Sequence, residues 1–152
     1  MAVKLRDLVE NLELVTDEIL AYLNTQTGEV ITVTLEDLRA AEEDLPLTDY
    51  PYWQQEAIEE ARQVLESDNL LALPDKYEIY EYDIMRRFCD SKEDYNLSDE
   101  MAVAIRGRGA FRRFKDKIRH YNLEEQWYSF HFEALKEVAI RWCQDNGLDW
   151  ED

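Results

Sequence analysis

In the last third of the chain, apolar residues recur at helical spacing on both sides of a short polar break. Phe111, Phe114, Ile118 and Tyr121 fall at i, i+3, i+7 and i+10, and Trp127, His131, Ala134, Leu135, Val138 and Trp142 make a second, longer stripe. Such stripes confine this region to consecutive amphipathic helices that bury these faces and turn the residues between them outward. The break is "RGRGA". Gly107 suits a left-handed C-terminal cap on a helix opened by Ser98, and Gly109 frees the backbone for the next helix from Ala110. Both phenylalanines are expected inside. The last helix is expected from Glu124 to about Asn146, with Gly147 as its stop.

Upstream the periodicity changes more often. Leu5, Leu8, Val9 and Leu12 put four apolar side chains on one face of a short helix. Two β-prone runs, Ile19 to Leu23 and Val30 to Thr34, flank a polar stretch containing Gly28, which is a hairpin signal. Thr34 is placed to cap a following helix, with Glu36 and Asp37 in its first turn. After Pro51, the residues Trp53, Ala57, Ala61, Val64 and Leu65 predict an amphipathic helix whose solvent face is acidic. "NLLALPDKY" reads as a third extended segment, and Tyr80, Ile84, Met85 and Phe88 mark a helix from Glu78 to Cys89. The fold class expected is α+β: a mostly helical single domain over residues 1–152, with a small antiparallel hairpin or three-stranded sheet near the N-terminus.

No apolar run approaches the roughly 18 residues of a transmembrane candidate, and Arg6, Asp7 and Glu10 interrupt the stretch where a signal peptide would be apolar. A cytoplasmic protein without membrane contact is the expectation. Cys89 and Cys143 have no CxxC spacing, which predicts two reduced, partly buried thiols and neither a disulfide nor a metal site.

Charge is distributed unevenly. Between Arg106 and His120 there are seven Lys or Arg and one acid, Asp116; this local +6 leaves −24 for the rest of a chain whose formal net charge is −18. A helix start surrounded by guanidinium groups suits an anion, so Arg106, Gly107, Arg108, Gly109, Arg112 and Arg113 form the candidate binding site. The competing account gives the glycines only a capping role and uses the basic side chains to neutralise the chain's own acids. With both phenylalanines expected buried, no aromatic is left beside the arginines to stack on bases, and the acidic remainder repels polyanions.

Catalytic signals are weak. His120 and His131 stand in no HExxH or nucleophile motif, the carboxylates form no calcium loop, and no glycine-rich phosphate loop exists. No cofactor and no metal are expected. "WYSFHF" puts Trp127 and His131 on one helical stripe and Tyr128 and Phe132 on another; burial of both is the expectation, and an aromatic patch left outside the core for a protein interface is the alternative. The functional expectation is a non-enzymatic protein-interaction domain, with a basic helix-loop-helix corner on an acidic body that engages an acidic protein or a second copy. The alternative is phosphate or nucleic-acid binding through the same corner.

"RGRGAFRRFKD" and "WYSFHFEALKEVAIRWCQDNG", preceded in order by "YLNTQTGEVITV" and "EYDIMRRFCDS", resemble the bacterial uncharacterised protein family 0158. The resemblance spans most of the chain. It implies an intact fold and brings no activity, substrate or catalytic residue to place on these positions.

Overall fold

The computed structural model describes residues 2–152, and the chain divides into two compact units. The first takes the chain up to Ile79 together with Val138–Asp152; the second is Tyr80–Glu137.

In the first unit, strand β1 (Ala2–Lys4) leads directly into helix α1 (Leu5–Leu12), which buries Leu5, Leu8, Val9 and Leu12 as their spacing requires. Strands β2 (Ile19–Asn24) and β3 (Val30–Thr34) form the expected hairpin, with Leu20 opposite Val33 and Leu23 opposite Val30. Thr34 caps helix α2 (Leu35–Glu43): its hydroxyl accepts from the Asp37 N–H at 3.1 Å. A 3₁₀ turn, Leu47–Asp49, then leads to helix α3 (Tyr52–Glu66). Strand β4 (Leu70–Ala72) pairs antiparallel with β2, so the sheet has the order β3-β2-β4. Val33, Leu38, Ala41, Ala61 and Val64 pack together between this sheet and the helices.

Helix α3 is rotated relative to its expected stripe. Gln54, Ile58, Ala61 and Val64 face inward, while Trp53 is 79% exposed. The rotated face carries a buried polar pair: the Gln54 amide donates to Asp37 Oδ1 at 3.2 Å and both side chains are buried. A polar group that finds its partner inside can take a core position that its residue type would otherwise forbid.

Two short elements fall outside the expected pattern. Helix α4 (Lys76–Ile79) is separated from α5 (Glu81–Asp90) by Tyr80, whose backbone is left-handed at φ 55°. Strand β5 (Asp149–Glu151) pairs in parallel with β1, Val3 lying opposite Trp150.

The second unit is helical. Helix α5 presents Ile84, Met85, Phe88 and Cys89 inward. Helix α6 (Tyr95–Ala104) begins three residues before the expected Ser98, because Asp94 caps it by accepting from the Asn96 and Leu97 N–H groups at 3.0 and 3.2 Å. Ser98 lies within the helix and donates to the Cys89 carbonyl at 2.8 Å. Helix α7 (Ala110–His120) and helix α8 (Glu124–Asp145) follow, and α8 extends from this unit into the first.

The core of this unit joins Met85, Phe88, Cys89, Met101, Ile105, Ala110, Phe114, Ile118 and Leu123, with Trp127 and Phe130 packed against it. Phe114 and Trp127 meet edge to face with ring centroids 4.7 Å apart, and Phe88 packs on both at 6.1 and 5.3 Å. Tyr128 is exposed, so the second aromatic stripe of α8 is not fully covered. Both cysteines are free and buried; burial pushes the Cys89 thiol up to about 11, far from a reactive thiolate. Among the described residues no helix is long and apolar enough to cross a membrane.

Candidate functional site

The α6–α7 corner is organised around Arg113. Side chains on a helix lean toward its N-terminus, so a residue in the first turns of α7 reaches back over the preceding loop. The Arg113 guanidinium does this with all three nitrogens: Nε donates to the Ala104 carbonyl at 2.6 Å, Nη1 to Arg108 at 2.6 Å and Nη2 to Arg106 at 2.5 Å. Ala104 ends α6, where carbonyls lack helical partners and a cation is favoured. Arg113 therefore caps α6 from a neighbouring helix and braces the glycine loop.

Gly109 makes this possible. Its φ is +77°, and a Cβ built there would lie 2.9 Å from Arg113 Nη1, too close for the guanidinium to keep its position. Gly107 has φ +71° and open space around it. Gly107→Ala should thus cost only the left-handed strain of about 1–2 kcal/mol, whereas Gly109→Ala bears that strain and displaces Arg113 as well. Urea midpoints of the two variants will check the order; equal midpoints would mean that the Arg113 brace contributes nothing.

Arg106, Arg108 and Arg112 are exposed, and among the described residues none of them forms an ion pair. The account in which the basic side chains neutralise the chain's own acids would place a carboxylate within ion-pair reach of these three, and among the described residues none is. Arg106 and Arg108, but not Arg112, line an open depression of about 640 Å³ together with Glu100, Val103 and Ala104 of α6 and Arg113 and Lys117 of α7. Glu100 closes one end. It accepts from Lys117 Nζ at 2.9 Å and from the Tyr121 hydroxyl, and these hydrogen bonds hold its carboxyl below the usual carboxylate range. Its contribution to stability is accordingly present at neutral pH and is lost as pH falls through the depressed value.

Phe111 departs from the sequence expectation. The inward face of α7 is Ala110, Phe114 and Ile118, spaced i, i+4 and i+8, and Phe111, 100° round the helix from Ala110, is 50% exposed. Val103 on α6 is exposed to the same extent. Of the expected site residues, Arg106, Arg108 and Arg112 thus present free charge, while Gly107, Gly109 and Arg113 shape the loop that carries them. Glu100 and Val103 join the corner without any local signal, since Glu100 meets Lys117 across 17 residues of sequence.

Elsewhere in this unit, His131 Nε2 lies 2.9 Å from Glu81 Oε1, with its ring beside Trp127. Among the described residues no group of three or more His, Cys, Asp or Glu side chains is placed to hold a metal ion.

Comparison with known proteins yields no solved structure that matches. A relative, the UPF0158 protein PA5073 of Pseudomonas aeruginosa, is 30% identical over 66 residues, covering 43% of this chain and 43% of that protein. The chain is thus matched to less than half the length of that relative. The uncharacterised protein family UPF0158 matches residues 1–151. That match takes in the whole corner and nearly every other residue described above, and on it the chain belongs to the uncharacterised protein family UPF0158.

Proposed function

We propose that this chain is a protein-interaction domain whose α6–α7 corner receives an acidic surface of a protein partner. One observation carries the reading: Arg106, Arg108 and Arg112 are exposed and pair with no carboxylate among the described residues, on a corner that also leaves Val103 and Phe111 half-exposed. Guanidinium groups form forked, charge-assisted hydrogen bonds to carboxylates. Arginine and aromatic side chains together are enriched where protein interfaces concentrate their binding energy. The acidic remainder of the chain repels a uniform polyanion at long range. It opposes much less a protein surface on which carboxylates are mixed with neutral groups.

The exposure of Phe111 also favours a second reading, in which a single-stranded nucleic acid stacks on its ring while phosphates meet the arginines. A titration separates the two. An acidic peptide in which glutamates alternate with neutral residues and a single-stranded oligonucleotide of equal charge are each added to the wild type and to the Arg106→Ala, Arg108→Ala, Arg112→Ala triple variant, with fluorescence anisotropy as readout. The triple variant is expected to lose about tenfold in affinity for the acidic peptide, at about 0.5 kcal/mol for each of three exposed ion pairs. Preference for the oligonucleotide, abolished by Phe111→Ala, would replace the protein reading with the nucleic-acid one. Equal affinity of variant and wild type for both probes would remove the site.

A further inference from the structure

The second aromatic surface of the chain lies on α3. Tyr52 is 90% and Trp53 79% exposed, an unusual setting for a tryptophan, and both sit in the first turn of the helix. On the same outward side, Glu56 and Glu60 follow Trp53 at i+3 and i+7, and Glu59 follows Tyr52 at i+7. Glu56 and Glu60 are exposed and form no ion pair among the described residues, whereas Glu59 has only Arg62 at 4.0 Å.

This face is the chemical complement of the α6–α7 corner. One presents aromatic rings beside free glutamates, the other free arginines on a corner that also exposes Phe111. An arginine that meets the α3 face has a carboxylate to pair with and an indole to stack on, and both attractions strengthen as water is excluded.

We infer that the α3 face docks the α6–α7 corner of a second copy of this chain; this rests on the reading of the corner given above and names its partner.

The inference carries a distinctive salt dependence. Two bodies each of net charge −18 repel one another, and at about 0.01 M salt, where the Debye length is about 30 Å, that repulsion acts across the whole molecule. At about 0.1 M the length is about 10 Å, and the contacting charges dominate the distant ones. At 1 M it is about 3 Å, and the contact itself weakens. Association is therefore expected to peak at intermediate salt.

Sedimentation velocity of the full chain across this range is the test, with two variants. Trp53→Ala with Glu56→Lys and Glu60→Lys breaks the α3 face; Arg108→Glu with Arg112→Glu breaks the corner. Every changed side chain is exposed, and unchanged urea midpoints verify that folding is kept. Each variant alone is expected to lose at least about tenfold in association. Their mixture is expected to regain a one-to-one complex, because the intact corner of one meets the intact α3 face of the other. A wild type that is monomeric throughout, an association that rises steadily to 1 M salt, or one that the α3 variant leaves unmoved would overturn the inference. A monomeric wild type that still binds the acidic peptide through Arg106, Arg108 and Arg112 would sink self-association and keep the interaction domain. A wild type that does not bind the acidic peptide either would sink the domain's proposed function itself.

Discussion

Phe114→Ala is expected to destabilise the chain by about 3–5 kcal/mol, the range for removing a large aromatic side chain from a packed core. The ring is 2% exposed and belongs to the cluster that includes Phe88, Met101 and Ile118. Its edge-to-face contacts with Phe88 and Trp127 are lost as well, and such pairs contribute beyond their buried area. Nothing nearby refills the space, because the neighbours come from four different helices that hold their spacing. Urea denaturation followed by tryptophan fluorescence is the measurement, with Trp127 as a reporter in ring contact. Phe111→Ala is the control: its half-exposed ring should change stability by no more than about 0.5 kcal/mol. If the two variants were equally stable, the orientation of α7 would be wrong.

Arg113→Lys is expected to cost about 2–3 kcal/mol, nearly as much as Arg113→Ala, although it keeps the charge. The guanidinium reaches three carbonyls at once, and hydrogen bonds to charged groups contribute about 1.5–3 kcal/mol before their mutual dependence is counted. Lysine brings a single ammonium on a flexible stem and cannot reproduce the planar fork. The carbonyl of the buried Ala104 would be left without its partner, a loss that removal of one side of a hydrogen bond makes costly. Because Gly109 exists to admit this guanidinium, Gly109→Ala and Arg113→Ala should be non-additive when combined, with the double variant less damaged than the sum. A lysine variant as stable as the wild type would show that the brace is only an electrostatic one. Additivity of the pair would separate the glycine from the arginine.

The corner illustrates how far residue spacing carries. "RGRGA" marks the helix break, and Gly109 does open α7, because a positive φ at that point is a local demand that a local residue meets. The arginines read as one basic cluster in sequence, yet one of them faces the backbone and three face solvent. That sorting depends on where the end of α6 lies relative to α7, which no pattern within α7 contains. Phe111 is ambiguous for a related reason. Its spacing from Phe114 and Ile118 fits the buried stripe, but so does that of Ala110, and the choice between two adjacent stripes is made by what packs against the helix.

The same division holds across the fold. Local order was legible wherever one stretch of chain carries its own signal: the apolar face of α1, the β2–β3 hairpin, the Thr34 cap, and the end of α8 near Gly147. These follow from side-chain periodicity, hydrogen-bond geometry and backbone sterics over a few residues, so the sequence by itself determined them. The rotation of α3 that buries the Gln54–Asp37 pair, the parallel pairing of β1 with β5, the outward turn of Phe111 and Trp53, and the capture of Arg113 were decided only by tertiary structure. Each requires a partner distant in sequence or on another element, and a residue's type states which interactions it can make without stating which neighbour it will meet.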